Sequence, residues 1–163
     1  MNAEDRTIQR DRMRFIKNSL SANLALLGIL FDVLFFVSIY QSDVGSWYYN
    51  IIIGASIVYN LIFMLAAFLS SEGVKNYKKG YSVLLAVLAV IQIARIFIIP
   101  AQAHGATVSV SGVDTVVMGD GQFFWVVACL VLSAASLAAS AVVNFIRCQE
   151  LEAHLKTLAG QGA

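Results

Sequence analysis

Four stretches of this chain are too long and too evenly apolar to be core strands or amphipathic surface helices: approximately Leu20 to Tyr40, Trp47 to Leu69, Tyr81 to Ile99 and Phe123 to Phe145. A bilayer's hydrocarbon core is about 30 Å thick, and about 18 or more consecutive apolar residues in a helix cross it. No water is present there to satisfy exposed N–H and C=O groups, so a spanning segment must close its own backbone hydrogen bonds, as a helix does. The expected fold class is an all-α integral membrane protein built as a four-transmembrane-helix bundle. Composition agrees, since 59% of residues are apolar and 13% charged, against roughly 45–50% and about 25% in soluble domains.

The first stretch is too long for the h-region of a signal peptide and ends without a small-x-small cleavage site, so it is expected to stay in the mature chain. The organisation that follows is a basic segment over residues 1–19, a membrane domain over 20–147 and a tail over 148–163.

The eleven Lys and Arg residues set the orientation. Arg6, Arg10, Arg12, Arg14 and Lys17 precede the first span, Lys75, Lys78 and Lys79 separate the second from the third, and Arg147 and Lys156 follow the fourth. The connections 41–46 and 100–122 carry none. Cytoplasmic loops collect Lys and Arg, so both termini and the 70–80 loop are expected in the cytoplasm, which an even number of spans also demands. The plasma (inner) membrane is the expected location. Tyr40, Trp47, Tyr48, Tyr49 and Trp125 would then mark the outer interface and Tyr77 and Tyr81 the inner one.

Before the first span, Ile8, Met13, Phe15 and Ile16 lie among the basic residues. The segment reads either as an amphipathic helix lying on anionic lipid or as a plain topology signal. After the fourth span, Leu151, Leu155 and Leu158 recur at spacings of four and three and Glu152 stands four before Lys156, so the helix is expected to run on beyond the membrane. In the outer connection, Val108 and Val110 alternate with Thr107, Ser109 and Ser111 before Gly112, the pattern of a short β-hairpin. Such a hairpin would either dock on another outer surface or cap its own bundle.

The informative residues are the polar ones inside the spans. A charged Asp32 at the centre of an inserted helix costs about 2.5–3.5 kcal/mol, so it is expected to face protein or water, not lipid. Ser21, Ala25, Gly28 and Asp32 share one face of the first helix, and small residues there let a second helix come close. On the third span Gln92 and Arg95 are three apart and share a face. At 1.5 Å per residue Asp32 lies about 18 Å, and Arg95 about 22 Å, from the cytoplasmic ends of their helices, which is one level. An Asp32–Arg95 ion pair assisted by Gln92 is the expected arrangement. The alternatives for Arg95 are snorkelling toward Pro100 and contact with another subunit.

On the fourth span Cys129, Ser133, Ser136, Ser140, Asn144 and Arg147 fall along one stripe, with Ala134, Ala135, Ala138, Ala139 and Ala141 beside it. Such a stripe either packs helices tightly or lines a wet path. Ser56 and Asn60, four apart on the second span, are expected to hydrogen-bond across helices.

Much chemistry is missing from the sequence. His104 and His154 are expected on opposite sides of the membrane, no metal-ligand cluster is evident, and there is no phosphate-binding glycine loop, nucleophile elbow or HExxH motif. Cys129 and Cys148 are 19 residues apart on one helix, about 28 Å, too far for a disulfide. With a net charge of +1 nucleic-acid binding has no basis. No cofactor and no catalytic residue are expected. Four spans with an acid in the first is similar in outline to the small multidrug-resistance transporters, although no motif of that family is present to carry residues across. The expected role is a non-catalytic membrane subunit, homo-oligomeric or accessory to a larger complex, with membrane lipid and other membrane subunits as partners. The alternative is a small transporter or channel with Asp32 as coupling or gating group.

Overall fold

The computed structural model describes residues 16–39, 47–110 and 112–161. The basic segment before residue 16, Tyr40, the 41–46 connection and Ser111 lie outside the described residues, as do the side chains of Trp47, Tyr48, Tyr49 and Leu158. The elements in chain order are α1 (Ser19–Ile39), α2 (Trp47–Lys75), α3 (Lys79–Arg95), a one-turn α4 (Pro100–Ala103), β1 (Thr107–Val110), β2 (Val113–Val116) and α5 (Asp120–Gln161). Four helical segments are long and apolar enough to cross a membrane, among them α3 taken together with α4.

Each long helix packs on its neighbours in sequence, and α5 closes the ring by packing on α1. The members alternate in direction: the start of α1 meets the end of α2 through Asn18 N–H to Lys75 O at 2.9 Å, and its far end meets the start of α5 through Gln122 Nε2 to Ser38 O at 2.9 Å. Aliphatic side chains such as Ile62, Val83 and Val90 point away from the bundle on every side. A helix that is apolar all round suits burial in lipid.

The turn between α2 and α3 is a Schellman motif. Lys78 N–H bonds Gly73 O at 3.2 Å and Tyr77 N–H bonds Val74 O at 3.1 Å, which satisfies carbonyls left over at the helix end. Tyr77 takes the left-handed conformation this requires, with φ 57°, where glycine is usual. A Cβ on Gly73 would sit 2.2 Å from the Tyr81 ring, so the absence of a side chain lets the ring lie flat on α2.

The third span is interrupted where the sequence reading runs it unbroken to Ile99. Pro100 lacks an N–H and its ring crowds the preceding turn. The backbone therefore tightens over 96–98, with i to i−3 bonds from Ile96, Phe97 and Ile98 to Ile93, Ala94 and Arg95, and α4 restarts with Pro100 in its first turn. Strands β1 and β2 run antiparallel with Thr107 opposite Val116 and Val110 opposite Val113. Val117 and Met118, which follow β2, are buried against Phe35, Val126 and Leu130.

Two apolar layers result. One, toward the start of α1, is built on Ala25, Phe63, Leu85 and Leu137; the other, toward its end, is built on Phe35, Met118, Val126 and Leu130. The residues between them in each helix, Asp32, Asn60, Gln92, Arg95 and Ser133, are polar and buried.

Candidate functional site

That polar layer draws one or two residues from every long helix. Asp32 of α1 is fully buried because it continues the small-residue face on which Ser21, Ala25 and Gly28 meet α5. At Gly28 the approach is closest: an added Cβ would lie 2.8 Å from Leu137 Cγ and 3.3 Å from the Ser133 carbonyl oxygen.

Arg95 Nη1 donates to Asp32 Oδ1 at 2.7 Å and to Gln92 Oε1 at 2.8 Å. Gln92 Nε2 donates to the same Asp32 oxygen at 2.8 Å and to Ser133 Oγ of α5 at 2.9 Å. Ser133 Oγ in turn donates to the Gly28 carbonyl at 2.8 Å, returning the chain of bonds to α1. Arg95 Nη2 donates to Asn60 Oδ1 of α2 at 2.6 Å. Bonds with an ionised partner are among the strong ones.

Aromatic rings enclose the cation. The Arg95 guanidinium carbon lies 4.5 Å from the centroid of Phe35 and 4.9 Å from that of Tyr59, within cation–π range. Arg95 therefore turns into the bundle and does not snorkel to the Pro100 end. Asp32 Oδ2 and Asn60 Nδ2 make no other hydrogen bond of good geometry among the described residues, but the Asn60 side chain also acts on the Asp32 carboxylate.

A second polar cluster, toward the start of α1, joins all four long helices. Asn144 of α5 accepts from Asn18 Nδ2 at 3.0 Å and donates to Ser82 Oγ of α3 at 2.7 Å. Ser21 and Ser140 each donate to the other's carbonyl at 2.7 Å. Ser71 Oγ of α2 donates to the Ala22 carbonyl at 3.2 Å. Interhelical bonds of this kind average about 0.6 kcal/mol in membrane bundles. Replacing Asn144 with leucine removes its bonds to Asn18 and Ser82 together, so Asn144→Leu is expected to lower stability by about 1–2 kcal/mol in an SDS titration followed by circular dichroism.

The remaining residues singled out in the sequence divide between these clusters and the periphery. Ser133, Ser140 and Asn144 are fully buried, whereas Ser136 is only half-buried; the polar stripe of α5 forms an edge of its buried face, not the centre. Ser56 lies on the wall of a pocket between α2 and α3 that Arg95 also borders, and it takes no part in the bond of Asn60 to Arg95. Cys129 and Cys148 are free thiols, both buried. Glu152 meets Lys79 of α3 at 2.5 Å, not the Lys156 suggested by helical spacing. His104 pairs with Asp120 at 3.0 Å and stacks on Phe123. Asn18, Ser71 and Ser82 escape a sequence reading because each sits at a helix end or in a loop-proximal turn, where polar residues are ordinary.

Compared with protein-family models, with curated proteins and with solved structures, the chain shows no match.

Proposed function

We propose that this chain is a non-catalytic four-helix membrane subunit, self-associating or accessory to a larger membrane complex, with both termini in the cytoplasm of a plasma (inner) membrane and β1–β2 on the outer side. The observation that carries this reading is how the interior polar groups are used. Asp32, Asn60, Gln92, Arg95 and Ser133 form one connected set of bonds, and apolar layers lie on both sides of them. Such a layer ties four helices together and leaves the outward faces for partners. The sidedness rests on the distribution of Lys and Arg. The end of α5, with Leu155 exposed, offers one docking surface and the β1–β2 segment another.

Extraction in a mild detergent followed by native mass spectrometry tests the proposal. The expected result is a particle heavier than one chain, either a homo-oligomer or a complex with other membrane proteins. A lone monomer across several mild detergents would overturn it.

A second reading, a small transporter or channel with Asp32 as its coupling or gating group, is favoured by one observation, an ionisable side chain fully buried deep in the bundle. Ionisable groups inside a membrane commonly mark ion or proton pathways. This reading requires a pH-dependent flux in proteoliposomes that Asp32→Asn abolishes; absence of flux across a panel of ions and drugs would leave the subunit reading alone.

A further inference from the structure

Beside the polar layer, between α2 and α3, is a half-open pocket of about 280 Å³, with Ala55, Tyr59, Ala94 and Ile98 exposed at its mouth. It exists because Ala55 and Ala94 are small where the helices face each other, and Phe35 lies on its wall. The lining is almost wholly apolar, and Ser56, Tyr59 and Arg95 are the residues with polar side chains that border it. An enclosed apolar cavity of about 150 Å³ takes up benzene; this pocket is larger and open on its outer side, so a substituted ring fits within it while a chain extends outward.

Arg95 gives the cavity its selectivity. A guanidinium has five N–H groups; three are engaged, two from Nη1 with Asp32 and Gln92 and one from Nη2 with Asn60, which leaves two without an acceptor among the described residues. The residue is 7% exposed, and within a membrane span that small exposure meets lipid, not bulk water, where an N–H without an acceptor is costly. Asp32 already balances the charge at 2.7 Å. A second anion therefore gains little there, while a neutral oxygen acceptor satisfies the spare donors without disturbing the pair. We propose that this cavity binds a neutral lipophile through a carbonyl oxygen that accepts a hydrogen bond from Arg95. The inference does not rest on the subunit reading, since a subunit and a transporter alike can hold such a molecule.

The test uses the full chain in lipid nanodiscs with a decyl-substituted benzoquinone whose tail carries a photoactivatable diazirine. Saturable labelling is expected on the peptides around Ala55–Tyr59 and Ala94–Ile98. Filling the space with Ala94→Phe, or independently with Ala55→Phe, is expected to remove that labelling; circular dichroism and monodispersity show whether each variant is folded. Unlabelled decyl benzoquinone and methyl decanoate carry ring and ester carbonyls, while decylbenzene carries none. One or both carbonyl compounds should compete about tenfold better than decylbenzene, the worth of roughly one hydrogen bond. Which of the two competes better tells a quinone-type ligand from an ester lipid. Equal competition by decylbenzene would overturn the role given to Arg95. Labelling spread over the outward faces, Ile62 and Val90 included, and unchanged in both filled variants would overturn the site itself. Neither failure bears on oligomeric state.

Discussion

Arg95→Met is expected to destabilise the bundle by about 3–5 kcal/mol, the usual cost of removing one partner from a buried ion pair. The reason is the carboxylate left behind. Asp32 is fully buried, and without the guanidinium it keeps only Gln92 Nε2 as a donor to Oδ1. Asp32→Leu is expected to cost a similar amount, because the cation is then enclosed by Phe35, Tyr59 and Phe63 with no counter-charge. The double variant Asp32→Leu with Arg95→Met should be less damaged than the sum of the singles, because replacing both partners by apolar groups removes the desolvation penalty along with the attraction. A double-mutant cycle measured by SDS titration, with a coupling of about 2 kcal/mol or more, is the expected result. Additive losses would mean that the two side chains do not depend on each other. Arg95→Lys is not expected to substitute, because a single ammonium cannot reach Asp32, Gln92 and Asn60 in the planar spread that the guanidinium uses.

The second large effect is expected at Gly28. Valine there places carbon against Leu137 Cγ and the Ser133 carbonyl oxygen, and overpacking of this kind costs about 1–3 kcal/mol and occasionally more. The upper part of that range is expected, because the Gly28 carbonyl also accepts from Ser133 Oγ, and forcing α1 from α5 breaks that bond together with the packing. Leu137 is fully buried, so Leu137→Ala alone is expected to cost about 2–5 kcal/mol through the cavity it leaves. Combined with Gly28→Val, however, the two changes should offset each other in part, since one supplies volume where the other removes it. Thermal unfolding in mild detergent, with the four proteins compared side by side, checks the expectation; a double variant as unstable as the sum of the singles would show that the clash lies against the backbone and not the leucine.

The long apolar runs were plain in the sequence because crossing a hydrocarbon layer needs both length and uniform greasiness, and little else produces them. Small residues on α1 were equally plain, since Ser21, Ala25, Gly28 and Asp32 repeat at helical spacing. What spacing could not supply was the partner across the bundle. Asn60 and Ser133 lie on different helices from Asp32, and their contacts depend on how far each helix is rotated about its own axis, a quantity set by packing against several neighbours at once. For the same reason spacing alone does not show that Ser136 is half-buried while Ser133 and Ser140, at matching periodicity, are fully buried. The tightening at 96–98 had a visible signal in Pro100, but where a span stops being regular depends on how its freed carbonyls are satisfied. The bond between Glu152 and Lys79 leaves no trace in the sequence, because i, i+4 spacing reports only on neighbours along one helix.

The 42 residues of α5 form one uninterrupted helix, with no glycine or proline from Gln122 to Ala159 to act as a hinge. At 1.5 Å per residue it is about 63 Å long, roughly twice the thickness of the hydrocarbon layer. It therefore behaves as a lever arm. A sideways push on the end that projects past the bundle is not absorbed in a flexible joint; it arrives as torque on Asn144, Ser140 and Ser133, the same side chains through which the rod is clamped to its neighbours.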